Sequence, residues 1–327
     1  MGKQNDPCWV IAQKDIRDAL HDRFIILVTG FLMIASLTAL TVAAIALHTD
    51  VATYTDAVKT LLALGKSVDV IAAPEFYPLR LLRGFVEHTQ IIGAVLGILL
   101  GYRAAASERG HQTLALMLTR PISQSQFLWG KIQGAILLLG AGLSAVFLVV
   151  GVAVYGISGV GLSAMDGVRL LLVLLAALVH TLLFFLLGFA AALWSRHLPH
   201  ALLFAFTIWL ALVLLAPQIG DTLDPDNQVA GGVFKQLDIE KPHQIEILKS
   251  FATYETIRTG IEALSPTKHF ERFSFAVLGI KETYAGRPLW PILEEKTGDI
   301  LWLLGLLATL SGLLFVCRLN TQKLTQE

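Results

Sequence analysis

The sequence predicts an all-α integral membrane protein with six transmembrane helices, and two observations predict it. Hydrophobic residues make up 55% of the chain and charged residues only 15%, against roughly 45–50% and about 25% in soluble domains; the mean hydropathy is +0.66. Six apolar runs approach the roughly 20 residues that a bilayer-spanning helix needs: 24–47, 85–102, 136–155, 170–194, 201–219 and 300–317.

Residues 1–23 come first. Trp9, Ala12, Ile16, Ala19 and Leu20 share one helical face, and Lys14, Asp15, Arg17, Asp18, His21 and Asp22 take the other. This is an amphipathic helix lying in the membrane interface ahead of a span. The run at 24–47 is too long for a signal-peptide core, and no small-residue cleavage site follows it, so it is read as a retained span.

The second span contains GAVLGILLG, with Gly93, Gly97 and Gly101 at four-residue spacing. Small residues so spaced let another helix approach closely, in this chain or in a second copy. Gly130 and Gly134 repeat the spacing at the start of the third span. Between these spans lies 103–134, RAAASERGHQTLALMLTRPISQSQFLWGKIQG. Its middle is apolar, with Leu114, Leu116, Met117 and Leu118. Pro121 stops a helix near Arg120, and Ser123 with Gln126 forms a capping box for the next one. A short helix, a hard turn and then the third span follow from this reading.

His180 is the one ionisable residue in a span interior; Glu87, His88 and Asp299 sit at edges. It reads as a packed histidine or as the lining of a path. Ion-coupled carriers need intramembrane carboxylates or broken helices, so the energy for any transport is expected to come from outside this chain. The segment 220–297 is too polar to span and too aromatic for a disordered loop. An amphipathic helix over 243–264 uses Ile245, Leu248, Ala252 and Ile261. Ser265-Pro266 then starts a second helix with cap and proline in their favoured places; it carries Phe270, Phe273 and Val277 and closes at Gly279. A small helical extracytoplasmic domain is the reading, with re-entrant or membrane-lying helices as the alternative. Phe270, Arg272 and Phe273 are candidates for an outer binding platform. Residues 298–327 hold the sixth span and a tail.

Positive charge sets the orientation. Lys3, Lys14, Arg17, Arg23, Arg103, Arg109, Arg120, Lys131, Arg196, Arg318 and Lys323 fall on one side, eleven in all. Lys59, Lys66, Arg80, Arg83 and Arg169, five, fall on the other, omitting the long 220–297 segment. Both termini are therefore expected in the cytosol. Cys8 and Cys317 would lie there as reduced thiols.

Several functions are excluded or weak. The net charge is zero, which gives no argument for nucleic acid. Leu64-Gly65-Lys66-Ser67 ends like a P-loop, but Thr60 stands where its first glycine belongs and no strand precedes it. His197 with His200 lacks a carboxylate or thiol partner for a metal. Asp221, Asp224 and Asp226 read as a solvated turn. No cofactor, metal or catalytic residue is expected.

The segment 103–134 resembles the cytoplasmic coupling loop of ABC-type export permeases, the type-2 exporter class, through Glu108, Thr113, Leu114, Leu116, Leu118, Pro121, Ile122, Ser123, Gly130 and Lys131. Residues 11–20 resemble the elbow helix of the same family. The resemblance implies a non-catalytic subunit of a multi-pass prokaryotic inner-membrane exporter. It works as a homodimer, or with a similar permease, in membrane lipid. A separate pair of ATPase subunits binds ATP and magnesium. Glu108, Arg109, Thr113, Leu114, Leu116, Leu118 and Pro121 are the implied ATPase-coupling residues, with Glu108 and Arg109 anchoring the loop to the partner or to the elbow. Residues 264–272 are similar to the outer segment of permeases serving nitrous oxide reductase maturation, which would add a periplasmic partner, although the insert here is longer than theirs. A membrane scaffold recruiting an envelope complex, or a membrane-embedded lipid or peptide enzyme, would be the other classes.

Overall fold

The structure is a computed structural model. It describes residues 6–66, 77–110, 122–159, 161–223, 237, 239, 243–244, 246–247 and 252–316. Every regular element among the described residues is a helix, and six of the helices are long and apolar enough to cross a membrane. The short amphipathic α1 (Pro7–His21) precedes the first span, α2 (Phe24–Ala63). A 3-10 turn, Pro78–Leu82, leads into α3 (Arg83–Gly110), the second span. The third is α4 (Gln124–Ser158) and the fourth α5 (Ala164–Trp194). The fifth is α6 (Leu198–Trp209), continued through a π-helical stretch, Leu210–Leu215, into α7 (Ala216–Leu223). Two shorter helices, α8 (Ala252–Ala263) and α9 (Pro266–Val277), come before the sixth span, α10 (Leu289–Val316).

The helices overrun the apolar stretches that identify them. Helix α2 has 40 residues, about 60 Å at 1.5 Å per residue, twice the bilayer core. Its 48–63 stretch holds neither glycine nor proline, and Thr49, Thr53, Thr55 and Thr60 each bond a carbonyl in the preceding turn. Leu64, Gly65 and Lys66 of the P-loop-like stretch simply end it. Gly65 takes a left-handed φ of 67°, Gly65 N–H donates to Leu62 O and Lys66 N–H to Leu61 O, which is a Schellman termination.

Helices α3 and α5 form the centre of the bundle, and glycine brings them together. A Cβ on Gly97 would lie 2.3 Å from Thr181 O, and one on Gly101 2.0 Å from Phe185 O. From the other side, a Cβ on Gly188 would lie 2.2 Å from Ile98 O. Gly93 faces Thr181 more loosely. The spaced glycines therefore pack against the fourth span of the same chain.

One sequence expectation is corrected here. Helix α9 does not stand above the bundle as part of a separate outer domain. Its Phe270, Phe273, Phe275, Ala276 and Val277 share one buried cluster with Leu40 of α2, Phe85 of α3, Val146 of α4, Leu183 of α5 and Leu303 of α10. The buried phenylalanines anchor this short and polar helix among the spans.

Candidate functional site

One end of the bundle is built around α1. Asp6 caps this helix by accepting from Cys8 N–H at 3.1 Å. Its apolar face seats on the start of α4, where Gly130 and Gly134 leave room: a Cβ on Gly130 would meet Ile11 Cβ at 2.7 Å and Cys8 O at 2.9 Å. That close approach sets four charged side chains within reach of one another. Lys131 Nζ lies 2.7 Å from Asp15 Oδ1 and 2.9 Å from Glu108 Oε1, while Lys14 Nζ lies 2.7 Å from the same Glu108 oxygen. The Lys131 side chain is 0% exposed and that of Glu108 1%.

Removing an ion from water costs several kcal/mol, and only pairing with good geometry offsets it. Two cations against two carboxylates balance. Burial pushes the Asp15 carboxyl above its usual range despite the opposing pull of Lys131. Lys131 also sits 5.5 Å from the centre of the Phe127 ring. The network thus ties α1 to the end of the second span and the beginning of the third.

Arg109, the next residue, points the other way. Its Nη1 donates to Ala192 O and Ser195 O, both at 2.7 Å, and its Nη2 to Arg196 O at 2.9 Å. These are carbonyls at and just beyond the C-terminus of α5, where the helix leaves acceptors unpaired and its dipole favours a cation. Across the junction, Ser123 accepts from Gln126 N–H at 3.2 Å and Gln126 Oε1 accepts from Ser123 N–H at 2.9 Å, so the capping box read from the sequence is present. Arg23, with φ 55°, turns the chain from α1 into α2. Arg103 braces that turn by pairing with Asp22 and lying 4.9 Å over the Phe24 ring.

Of the residues singled out in 103–134, Glu108 and Arg109 are buried and hold the stem from inside. Glu108 joins α1 through Lys14; Arg109 joins the fourth span, a partner that no local pattern announces. Thr113, Leu114, Leu116, Leu118 and Pro121 lie outside the described residues. The roles of Lys14, Asp15 and Lys131 were missed. The available signal was charge: Lys131 opens an apolar run and Glu108 closes one, at the same end of neighbouring spans.

At the opposite end of the bundle, the residues expected to form a platform are enclosed. Phe270 is 0% and Phe273 4% exposed, and Phe270 stacks on His180 with ring centres 5.0 Å apart. Arg272 is paired with Glu262 of α8. Both phenylalanines are thus enclosed, and Arg272 is held by an ion pair. The helix itself is latched on three sides. Arg169 of α5 donates to Val277 O, closing its C-terminus. His269 Nδ1 lies 2.7 Å from Asp299 Oδ1 of α10, and its ring stacks on Trp302 at 4.4 Å. Ser265, whose side chain makes no cap bond, instead donates to Leu212 O at 2.6 Å, in the π-helical stretch of the fifth span. Nearby, Tyr77 donates to Asp166 Oδ1 at 3.0 Å, and burial pushes the phenol up to about 12.

His197 and His200 meet edge to face, ring centres 5.4 Å apart, and among the described residues no group of three or more His, Cys, Asp or Glu side chains is arranged to hold a metal.

Six long apolar helices, with a short amphipathic helix locked by charge to one end of the bundle, define a multi-pass helical membrane subunit. The family model described as ABC-2 family transporter protein matches residues 9–322, and the chain belongs to that family. It is thus a permease-type subunit of an ABC transporter, a class that is generally non-catalytic. No curated protein matches the chain.

Proposed function

We propose that this chain is the membrane permease of an ATP-driven exporter, coupled to a separate pair of ATPase subunits through residues 103–134. One observation carries the reading. Both stems of the 111–121 connection are rigidly held, by Glu108 and Arg109 on one side and by the Ser123–Gln126 box and Lys131 on the other. A push delivered at that connection therefore moves α1 and the second, third and fourth spans together, since the network and the Arg109 bonds join all of them. Glu108 and Arg109 act as positioning residues within the stems. Direct contact with the ATPase falls to Leu114, Leu116 and Leu118.

The assembly that fits is two permease copies and two ATPases in a prokaryotic inner membrane, with both termini cytosolic and ATP and magnesium held by the ATPase. Export for maturation of a periplasmic metalloenzyme such as nitrous oxide reductase rests on the likeness of residues 264–272 alone. Co-purification tests the proposal: the permease retains its ATPase and changes its rate of ATP hydrolysis, and Leu116→Asp loses both effects while still assembling in the membrane. Unchanged recovery of the ATPase by that variant contradicts it.

A further inference from the structure

We propose that the groove between α1, the first turns of α2 and α4 binds one anionic phospholipid, with an acyl chain along the groove and the phosphate between Arg17 and Arg23. Such a site needs a bilayer and no ATPase, so it stands apart from the coupling reading.

The first observation is the shape and lining of the groove. Its volume is about 560 Å³, within the size range of ligand pockets. Ile16 and Leu20 of α1, Ile25 and Met33 of α2, and Leu137 and Ala141 of α4 form its walls. Among the described residues that line it, Thr29 alone is polar. From Ile25 to Met33 it runs about 12 Å at 1.5 Å per residue, most of the ~15 Å of one hydrocarbon leaflet. Gly30 leaves a gap in its wall, since a Cβ there would meet no atom within 4 Å. Leu20, Ile26 and Leu137 are each at least 45% exposed. Beside spanning helices, apolar surface left open in this way is a membrane contact.

The second observation is the charge at the head of the groove. Trp9, Ile16 and Leu20 share one flank of α1, and Arg17 adjoins it. Arg23, at the left-handed turn into α2, stands just before Ile25. Both arginines are exposed, and among the described residues neither is in an ion pair. The carboxylates of α1 turn elsewhere. Asp15 pairs with Lys131 and Asp22 with Arg103, while Asp18 lines a cleft on the α3 side of the helix with Arg103 and Ser107.

Two unpaired cations above an apolar groove match a phosphodiester that carries an acyl chain, and arginine side chains are long enough to reach headgroup level. A zwitterionic lipid brings its own ammonium, which opposes this pair, so the anionic class fits. A lipid seated there also braces α1, which Lys14 and Asp15 join to Glu108 and Lys131.

Spin-labelled lipids test the site. The full chain is reconstituted into phosphatidylcholine vesicles with a trace of phosphatidylglycerol or phosphatidylcholine labelled near the top of one acyl chain. The motionally restricted signal measures lipid held by the protein. Phosphatidylglycerol is expected to associate at least about fivefold more strongly than phosphatidylcholine. Arg17→Gln with Arg23→Gln brings the two lipids to parity. Gly30→Leu fills the groove from a position with open space and also brings parity, whereas Gly305→Leu, equally uncrowded on α10, keeps the preference. Ala141→Leu, at an exposed wall position, replaces Gly30→Leu if that change lowers the unfolding temperature. Equal association of both lipids with the native chain overturns the proposal. So does a preference that survives the arginine changes. A preference lost with the arginines but kept when the groove is filled overturns it too, because it shows attraction to a charged surface with no groove.

Discussion

Glu108 and Lys131 meet at 2.9 Å where neither side chain touches solvent, one ending the second span and the other opening the third. The pair encloses the connection that the coupling proposal depends on. Its stability should be mutual rather than a sum of parts. Glu108→Ala leaves Lys131 buried with Asp15 alone, and removing one partner of a buried pair costs about 3–5 kcal/mol. Adding Lys131→Met to that variant should cost less than the two single changes together, by about 1–3 kcal/mol. Unfolding in detergent micelles measures the cycle. Strictly additive losses would mean that the two charges ignore each other.

The glycines of the second span give a prediction about packing within one chain. Gly101→Ala places a methyl 2.0 Å from Phe185 O, a backbone atom that cannot swing aside, whereas the nearest atom to a methyl on Gly140 is Leu178 Cδ2 at 4.0 Å. Overpacking of this kind costs about 1–3 kcal/mol. Gly101→Ala should lower the unfolding temperature of the dispersed monomer clearly, and Gly140→Ala should not. Equal behaviour would place the partner of Gly101 elsewhere, in a second copy.

Much of this architecture was legible in the sequence, and the limits have physical causes. The six spans, the Ser123 capping box and the helix start at Pro266 could be read because hydropathy, a capping pair and a proline are local signals, whereas Ser265 stands at the N-cap without the expected cap bond. The extension of α2 to Ala63 could not, since 48–63 is polar and a bare absence of breakers is a weak cue. Gly97 and Gly101 announced a close approach, but spacing names no partner. The position of α9 was misjudged for a similar reason. A helix bearing Lys268, His269, Glu271 and Arg272 reads as solvated. Tertiary pairing to Asp299, Glu262 and Arg169 accompanies its buried phenylalanines inside the bundle. The Glu108–Lys131 pair joins residues that no periodicity connects.

Acid should loosen α8 and α9. Burial alone would raise the Glu262 carboxyl, but the positive charge of Lys268, Arg272 and Arg258 outweighs it and holds the group below its usual 4.5. A carboxyl depressed in the folded state stabilises above its unfolded value and loses that contribution as the pH falls through the folded one. Stability measured from about pH 6 down to about pH 3 should therefore fall below 4.5, and Glu262→Gln should flatten that part of the curve. An identical acid limb in the variant would assign the loss to other carboxyls.

Orientation is open to a labelling experiment. In a chain lacking Cys8 and Cys317, a cysteine introduced by Asn227→Cys or Thr283→Cys should react with an impermeant reagent on intact cells. One introduced by Gln112→Cys should react only after permeabilisation. The reverse pattern would put the Glu108–Lys131 stem outside, away from ATP.

The most direct test of the central claim is the effect of Leu116→Asp on ATP hydrolysis by the co-purified ATPase in liposomes. The account predicts that the native permease alters the ATPase rate and that the variant, recovered in the membrane with the native unfolding temperature, returns it to that of the ATPase alone. A variant that still binds the ATPase and still alters its rate would contradict coupling through 103–134.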